Sequence, residues 1–158
     1  MKPWQRRILA ILTLGGSFLG GVLSLGYLSA NTIPVRDKFF VLISVAMYSW
    51  GVWCGTLLLE SRDGAIAANR TFWAIQIPYL TSPIAGYIFA SGAFLYVTFQ
   101  PFALRFDYLF LLGSKFEFSL LQPAKSFVVG INVLAAGVYL FLHWSHDQNH
   151  PHSGVAHD

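Results

Sequence analysis

Phe72 to Phe99, FWAIQIPYLTSPIAGYIFASGAFLYVTF, is the longest uncharged run in the chain, and the fold reading turns on it. It carries two prolines, Pro78 and Pro83, and a polar cluster of Gln76, Tyr79, Thr81 and Ser82. As a helix its 28 residues would measure about 42 Å, more than the ~30 Å hydrocarbon core of a bilayer requires. Pro83 has no N–H, so the Tyr79 carbonyl would lose its helical partner, and Pro78 would do the same to Ala74. In lipid those carbonyls need another donor: Thr81, Ser82, Gln76, a neighbouring helix or water. The stretch therefore predicts a tilted, broken spanning helix. Gln76, Pro78, Tyr79, Thr81, Ser82 and Pro83 stand as a candidate ligand or ion site, since transporters build sites from broken helices. The plainer reading of the same residues is a structural kink.

Outward from this stretch, charge is segregated. Hydrophobic residues make up 55% of the 158-residue chain and charged residues 11%, against roughly 25% in a soluble domain. No Lys, Arg, Asp or Glu lies in 8–30, 39–59, 72–99 or 126–142. Runs of this length are spanning-helix candidates. The expected fold is an all-α membrane protein: a bundle of about four transmembrane helices, at 8–30, 39–59, 72–99 and 126–144. Residues 1–145 form one polytopic domain and 146–158 a disordered, His-rich tail. An amphipathic segment or hairpin at 102–122 lies in the interface.

The first run follows a basic head, MKPWQRR. It resembles a secretory signal in layout, but its apolar part is too long and Leu28 is poor before a cut, so a retained helix is expected. Gly16, Gly20 and Ser24 recur every four residues, Gly51 and Gly55 do so in the second run, and Ser82, Gly86 and Ala90 in the third. Such stripes let helix backbones approach closely, within the chain or between copies. Asn132 in the fourth run is read as interhelical hydrogen-bonding glue. Trp50 and Trp53 near the middle of the second run suggest burial against other helices, or a bound lipid, quinone or pigment.

Between 102 and 122, alternating runs at 104–108 and 115–119 flank Gly113-Ser114, which fits a β-hairpin or a broken in-plane helix. Its aromatics suit an interfacial cap or a surface that docks a partner, with Phe106, Tyr108, Phe110, Phe116 and Phe118 as the docking residues. All five histidines fall in the last sixteen residues. His143, His146 and His150 are weak metal candidates, because their spacing matches no structural zinc pattern.

Several chemistries lack their residues. Within the uncharged runs there is no ionisable Asp, Glu, Lys, Arg or His for a proton relay. The single cysteine, Cys54, cannot exchange disulfides, and no base stands near a nucleophile. There is no phosphate loop, and no basic stripe for nucleic acid. The function expected is therefore an accessory, assembly or interaction subunit of a membrane complex, without catalytic residues and without an identified cofactor. The alternative is a small oligomeric channel or transporter with its site at the broken third helix. Expected partners are the lipid bilayer and other membrane subunits or further copies of the chain. The expected location is a bacterial inner membrane with both termini cytoplasmic, because three basic residues precede the first helix and two follow it.

Overall fold

The computed structural model describes residues 1–29 and 34–147. It begins with a long antiparallel helical hairpin, α1 (Pro3–Ser29) and α2 (Val35–Glu60). Pro3 sits at the first helical position, where a missing N–H costs nothing. Ser61 ends α2 in the left-handed conformation, returning its N–H to the Leu57 and Leu58 carbonyls, a common way to close a helix. The small residues are what let the two backbones meet. A Cβ on Gly20 would overlap the Tyr48 ring, one on Gly51 would meet Ser17 and Phe72, and one on Gly55 would strike Leu14. Ser44 Oγ donates to Ser24 Oγ at 2.9 Å across the same seam. Both helices are long and apolar enough to cross a membrane.

Beyond the hairpin the expected bundle is not found. The structure is α+β, with four helices and a six-stranded antiparallel sheet among the described residues. The third run is not a spanning helix. It is the end of a short helix, α3 (Ala65–Ala74), followed by strands β1 (Pro78–Thr81), β2 (Ala85–Ala90) and β3 (Ala93–Gln100). The prolines are not kinks. Pro78 is the first residue of a strand, where no ladder donor is needed. Pro83 lies in the β1–β2 turn, where Ser82 Oγ accepts from the Ala85 N–H (3.0 Å) and donates to the Ala85 carbonyl (2.7 Å). The fourth run is likewise divided, into strand β6 (Val128–Asn132) and helix α4 (Val133–Asp147). Among the described residues, two candidate spans replace the four expected.

The segment at 102–122 holds β4 (Arg105–Leu112) and β5 (Lys115–Leu120). They are strands, but they do not pair with each other as a hairpin. The sheet order is β4-β3-β6-β1-β2-β5, which puts them at opposite edges. The pairing explains how a two-residue link can join opposite edges. One register, without a slip, runs from Ala85↔Leu120 through Ala90↔Lys115 to Ala93↔Leu112 and Gln100↔Arg105. Residues 85–100 and 105–120 are thus the two strands of a single long ribbon. It is folded back at Ser91-Gly92 and Gly113-Ser114, and β1 and β6 fill the space between its arms. The pivot keeps its ladder bond, Gly113 N–H to Gly92 carbonyl at 2.9 Å. Gly92 and Gly113 both have positive φ, 90° and 140°. Other residues adopt such angles only with strain.

The fold-back makes two cores. Between the arms, Ile88 and Ala90 of β2 meet Phe94 and Tyr96 of β3, with Tyr79 edge-on to Tyr96 at 4.9 Å. The larger core lies between the first arm and the helices: Leu9, Tyr48, Leu58, Phe72, Trp73 and Phe89. The pivot itself seats on the middle of α1. Gly16 touches the Ser91-Gly92 backbone, Ser17 Oγ and Ser91 Oγ are 2.8 Å apart, and Ser114 Oγ donates to the Gly16 carbonyl.

Candidate functional site

The residues expected to form one site in a broken helix are dispersed, and each serves a different element. Gln76 is fully buried. Its Oε1 accepts the Ser91 N–H at 2.8 Å, and its Nε2 donates to the Phe72 carbonyl at 3.2 Å, so it ties α3 to the pivot. Tyr79 packs between the arms, and Thr81 Oγ1 donates to the Ser126 carbonyl at 3.2 Å. Ser82 makes the turn, and Pro78 and Pro83 are exposed. None of them lines the cleft or the groove described below.

The small-residue sets divide in the same way. Gly20, Ser24, Gly51 and Gly55 lie in the α1–α2 seam, whereas Gly16 faces the ribbon. Ser82, Gly86 and Ala90 are not a helix stripe: Ser82 is in a turn, and Gly86 and Ala90 are in β2. Asn132 is not interhelical glue. Its Oδ1 accepts the Ala135 N–H at 3.3 Å and the Leu95 N–H at 3.1 Å. It thereby caps α4 and anchors that helix to β3. Its Nδ2 is buried and has no partner among the described residues.

Trp50 and Trp53, one turn apart on α2, differ in their surroundings. Trp50 packs edge-on to Phe72 at 5.6 Å and Trp53 faces outward, so the two do not enclose a common site. His143 lies on α4, its Nδ1 3.4 Å from Arg70 Nη1. His146 is on the same helix; its side chain, and His150 with the rest of the tail, lie outside the described residues. Among those described, no three His, Cys, Asp or Glu side chains cluster as a metal site.

Two surfaces remain. The first is β4. Phe106, Tyr108, Phe110 and Leu112 alternate along one face of this edge strand, as strand geometry dictates. All four are exposed, Phe106 by 73% and Tyr108 by 83%. Phe99 stacks on Phe106 at 4.6 Å, and with Val97, Val129 and Ile131 they line an apolar groove. The strand carries one charge pair, Arg105 and Asp107, which bond each other at 2.8 Å. Among the described residues its outer edge pairs with nothing. Of the five residues expected to dock a partner, these strand positions hold Phe106, Tyr108 and Phe110. Phe116 and Phe118 are half-buried on β5, against Phe89 (6.3 Å) and Phe40 (4.9 Å).

The second surface is a cleft where β5 meets the α1–α2 hairpin. Sequence reasoning did not find it, because its walls come from three separate segments. Around the sheet, burial shifts the tyrosines. Tyr87, whose hydroxyl donates to the Ile75 carbonyl at 2.8 Å, has its phenol pushed up to about 12. Tyr96 is raised by burial and by the neighbouring tyrosines, and Tyr79 by burial and the Glu117 carboxylate.

The arrangement defines an α+β chain with two span-length helices and a folded-back antiparallel ribbon, whose edge strand β4 is uncovered. No family model, curated protein or solved structure matches it.

Proposed function

We propose that this chain is a membrane-anchored interaction subunit that offers β4, its bare face and its free edge, to a partner protein of a larger membrane complex. The observation that carries the reading is an eight-residue edge strand with four large apolar side chains exposed on one face. In water such an edge is a template for unwanted pairing, which proteins normally blunt with charge, proline or cover. At membrane depth it is worse, because lipid cannot satisfy unpaired backbone N–H and C=O groups. The ribbon pivot seats at Gly16, near the middle of α1, so the sheet stands beside the helical hairpin rather than clear of it. A protein strand or groove laid on β4 supplies both the missing hydrogen bonds and the apolar cover.

The hairpin reading also gives an orientation. The end with the N-terminus of α1 and the C-terminus of α2 carries Lys2, Arg6, Arg7 and Arg62, and the connecting end carries Arg36 and Lys38. By the positive-inside tendency the N-terminus is cytoplasmic. The broken third helix behind the channel or transporter alternative is absent, and that alternative loses its motivating observation.

A photo-crosslinking residue at Tyr108 tests the proposal in native membranes, with the exposed turn residue Ile84 as control. The expected result is one discrete protein adduct from position 108 and none from 84. Lipid adducts alone at 108, or the same adducts at both positions, would contradict it.

A further inference from the structure

A cleft of about 430 Å³ runs between the C-terminal half of α1, the N-terminal half of α2, and β5. Its inner end is at Gly20, Tyr48 and Ser114, beside the ribbon pivot. Its outer end is at Tyr27, Asp37 and Gln122. Along α1 this is seven residues, about 10 Å, and along α2 eleven, about 16 Å. Half of a ~30 Å hydrocarbon core is about 15 Å, so the cleft is as deep as one leaflet. Its volume falls in the range of small-molecule sites, roughly 300–1,000 Å³.

The cleft mixes apolar walls with hydroxyl groups. Leu23, Val41, Phe40, Phe116 and Phe118 form the walls. The hydroxyls set among them are already engaged: Ser44 with Ser24, Ser114 with the Gly16 carbonyl, and Tyr48 with the Ala90 carbonyl at 3.3 Å. Glu117 also borders the cleft, but its carboxylate is held by Lys125. The inner hydroxyls thus have hydrogen-bond partners within the chain, and apolar side chains stand between them; Tyr27, Asp37 and Gln122 border the outer end. Left empty, the apolar walls of such a slot forfeit dispersion contacts.

We infer that the cleft holds one hydrocarbon chain of a membrane lipid, with the chain end at Gly20 and Tyr48 and the head at Tyr27, Asp37 and Gln122. The inference rests on the membrane reading above and adds a specific lipid seat to it. It also gives Phe116 and Phe118 a role distinct from partner docking, as the strand-side wall of that seat.

The test reconstitutes the full chain in phosphatidylcholine vesicles containing a phospholipid with a diazirine at the end of one acyl chain. Photolysis is followed by mapping of the labelled peptides. Labelling is expected on Tyr48 and Phe116 as well as on the outward residues Phe18 and Val22. Leu23→Trp, at an exposed position on the cleft wall, should lower the Tyr48 and Phe116 labelling about tenfold and leave Phe18 and Val22 unchanged. Labelling of Phe18 and Val22 without Tyr48 and Phe116 overturns the lipid seat and leaves the membrane reading standing. Equal labelling of Tyr48 and Phe116 in the variant also overturns the seat. No labelling at Phe18 and Val22 overturns the membrane reading, and the seat with it.

Discussion

The two arms of the ribbon share one register and one alternation, yet they meet opposite environments. In the first arm, the ribbon face carrying Tyr87, Phe89, Phe116 and Phe118 lies against the helices. Followed through the pivot without a slip, the same face becomes Val97, Phe99, Phe106, Tyr108 and Phe110, and there it is open. Both stretches are aromatic and alternating. What separates them is the bend at Gly92 and Gly113, which turns the second arm away from α1 and α2. Burial in this fold is decided by where the ribbon folds, and strand composition alone does not report it. The covered arm is a structural element, and the open arm is free to be a functional one.

The sharpest way to break this contrast is to unseat the pivot. Gly16→Val would drive side-chain atoms into the Ser91-Gly92 backbone, which cannot yield as a flexible side chain would. A loss of about 3 kcal/mol is expected, at the upper end for overpacking, and thermal unfolding in detergent would measure it. Next comes the strut beneath the pivot. Gln76→Ala leaves the buried Ser91 N–H without its acceptor, at a cost of about 2 kcal/mol. The expected loss is in stability rather than in any flux, which separates a structural Gln76 from a ligand-site one. At the root of α4, Asn132→Ala removes the cap and the Leu95 bond, with an expected loss of about 1 kcal/mol.

Alkali should act on the covered arm. The folded Tyr87 phenol ionises only at about 12, whereas an unfolded tyrosine does so at about 10. The stability this contributes is complete below about pH 10 and is lost as pH rises from there through about 12. Thermal unfolding followed by circular dichroism should therefore set in at a lower temperature at the alkaline end of that window than at its start. Tyr87→Phe should weaken this dependence. The smallest effect is expected on the open arm. Phe106→Ser and Tyr108→Ser should change stability by no more than about 0.5 kcal/mol, whereas Phe116→Ser and Phe118→Ser remove covered side chains and should destabilise measurably.

Parts of this were legible from residues. The charge-free runs at 8–30 and 39–59 became α1 and α2, and alternation around Gly113-Ser114 marked β4 and β5 as strand-like. The stretch from 72 to 99 misled for a physical reason. All three strands carry apolar residues on both faces and no charge, so β1, β2 and β3 together had the length and neutrality of a spanning helix. The turn signals were present, Ser82-Pro83 and Ser91-Gly92, at the spacing of short strands. Length without charge outweighed them. Asn132 was seen as a polar residue needing a partner, but its partners, the Leu95 and Ala135 amides, exist only once β6 lies beside β3. The edge placement of β4 was not legible at all, because it follows from a long-range register.

The most direct test of the central claim, that the open arm holds a partner, is the native mass of the intact complex extracted from host membranes in mild detergent. Wild type is compared with a chain carrying Phe106→Ser, Tyr108→Ser and Phe110→Ser. The account predicts a stoichiometric foreign subunit on wild type, absent from the variant, with the two chains equally folded. A variant that keeps every subunit, or a wild-type chain that emerges alone, would contradict it.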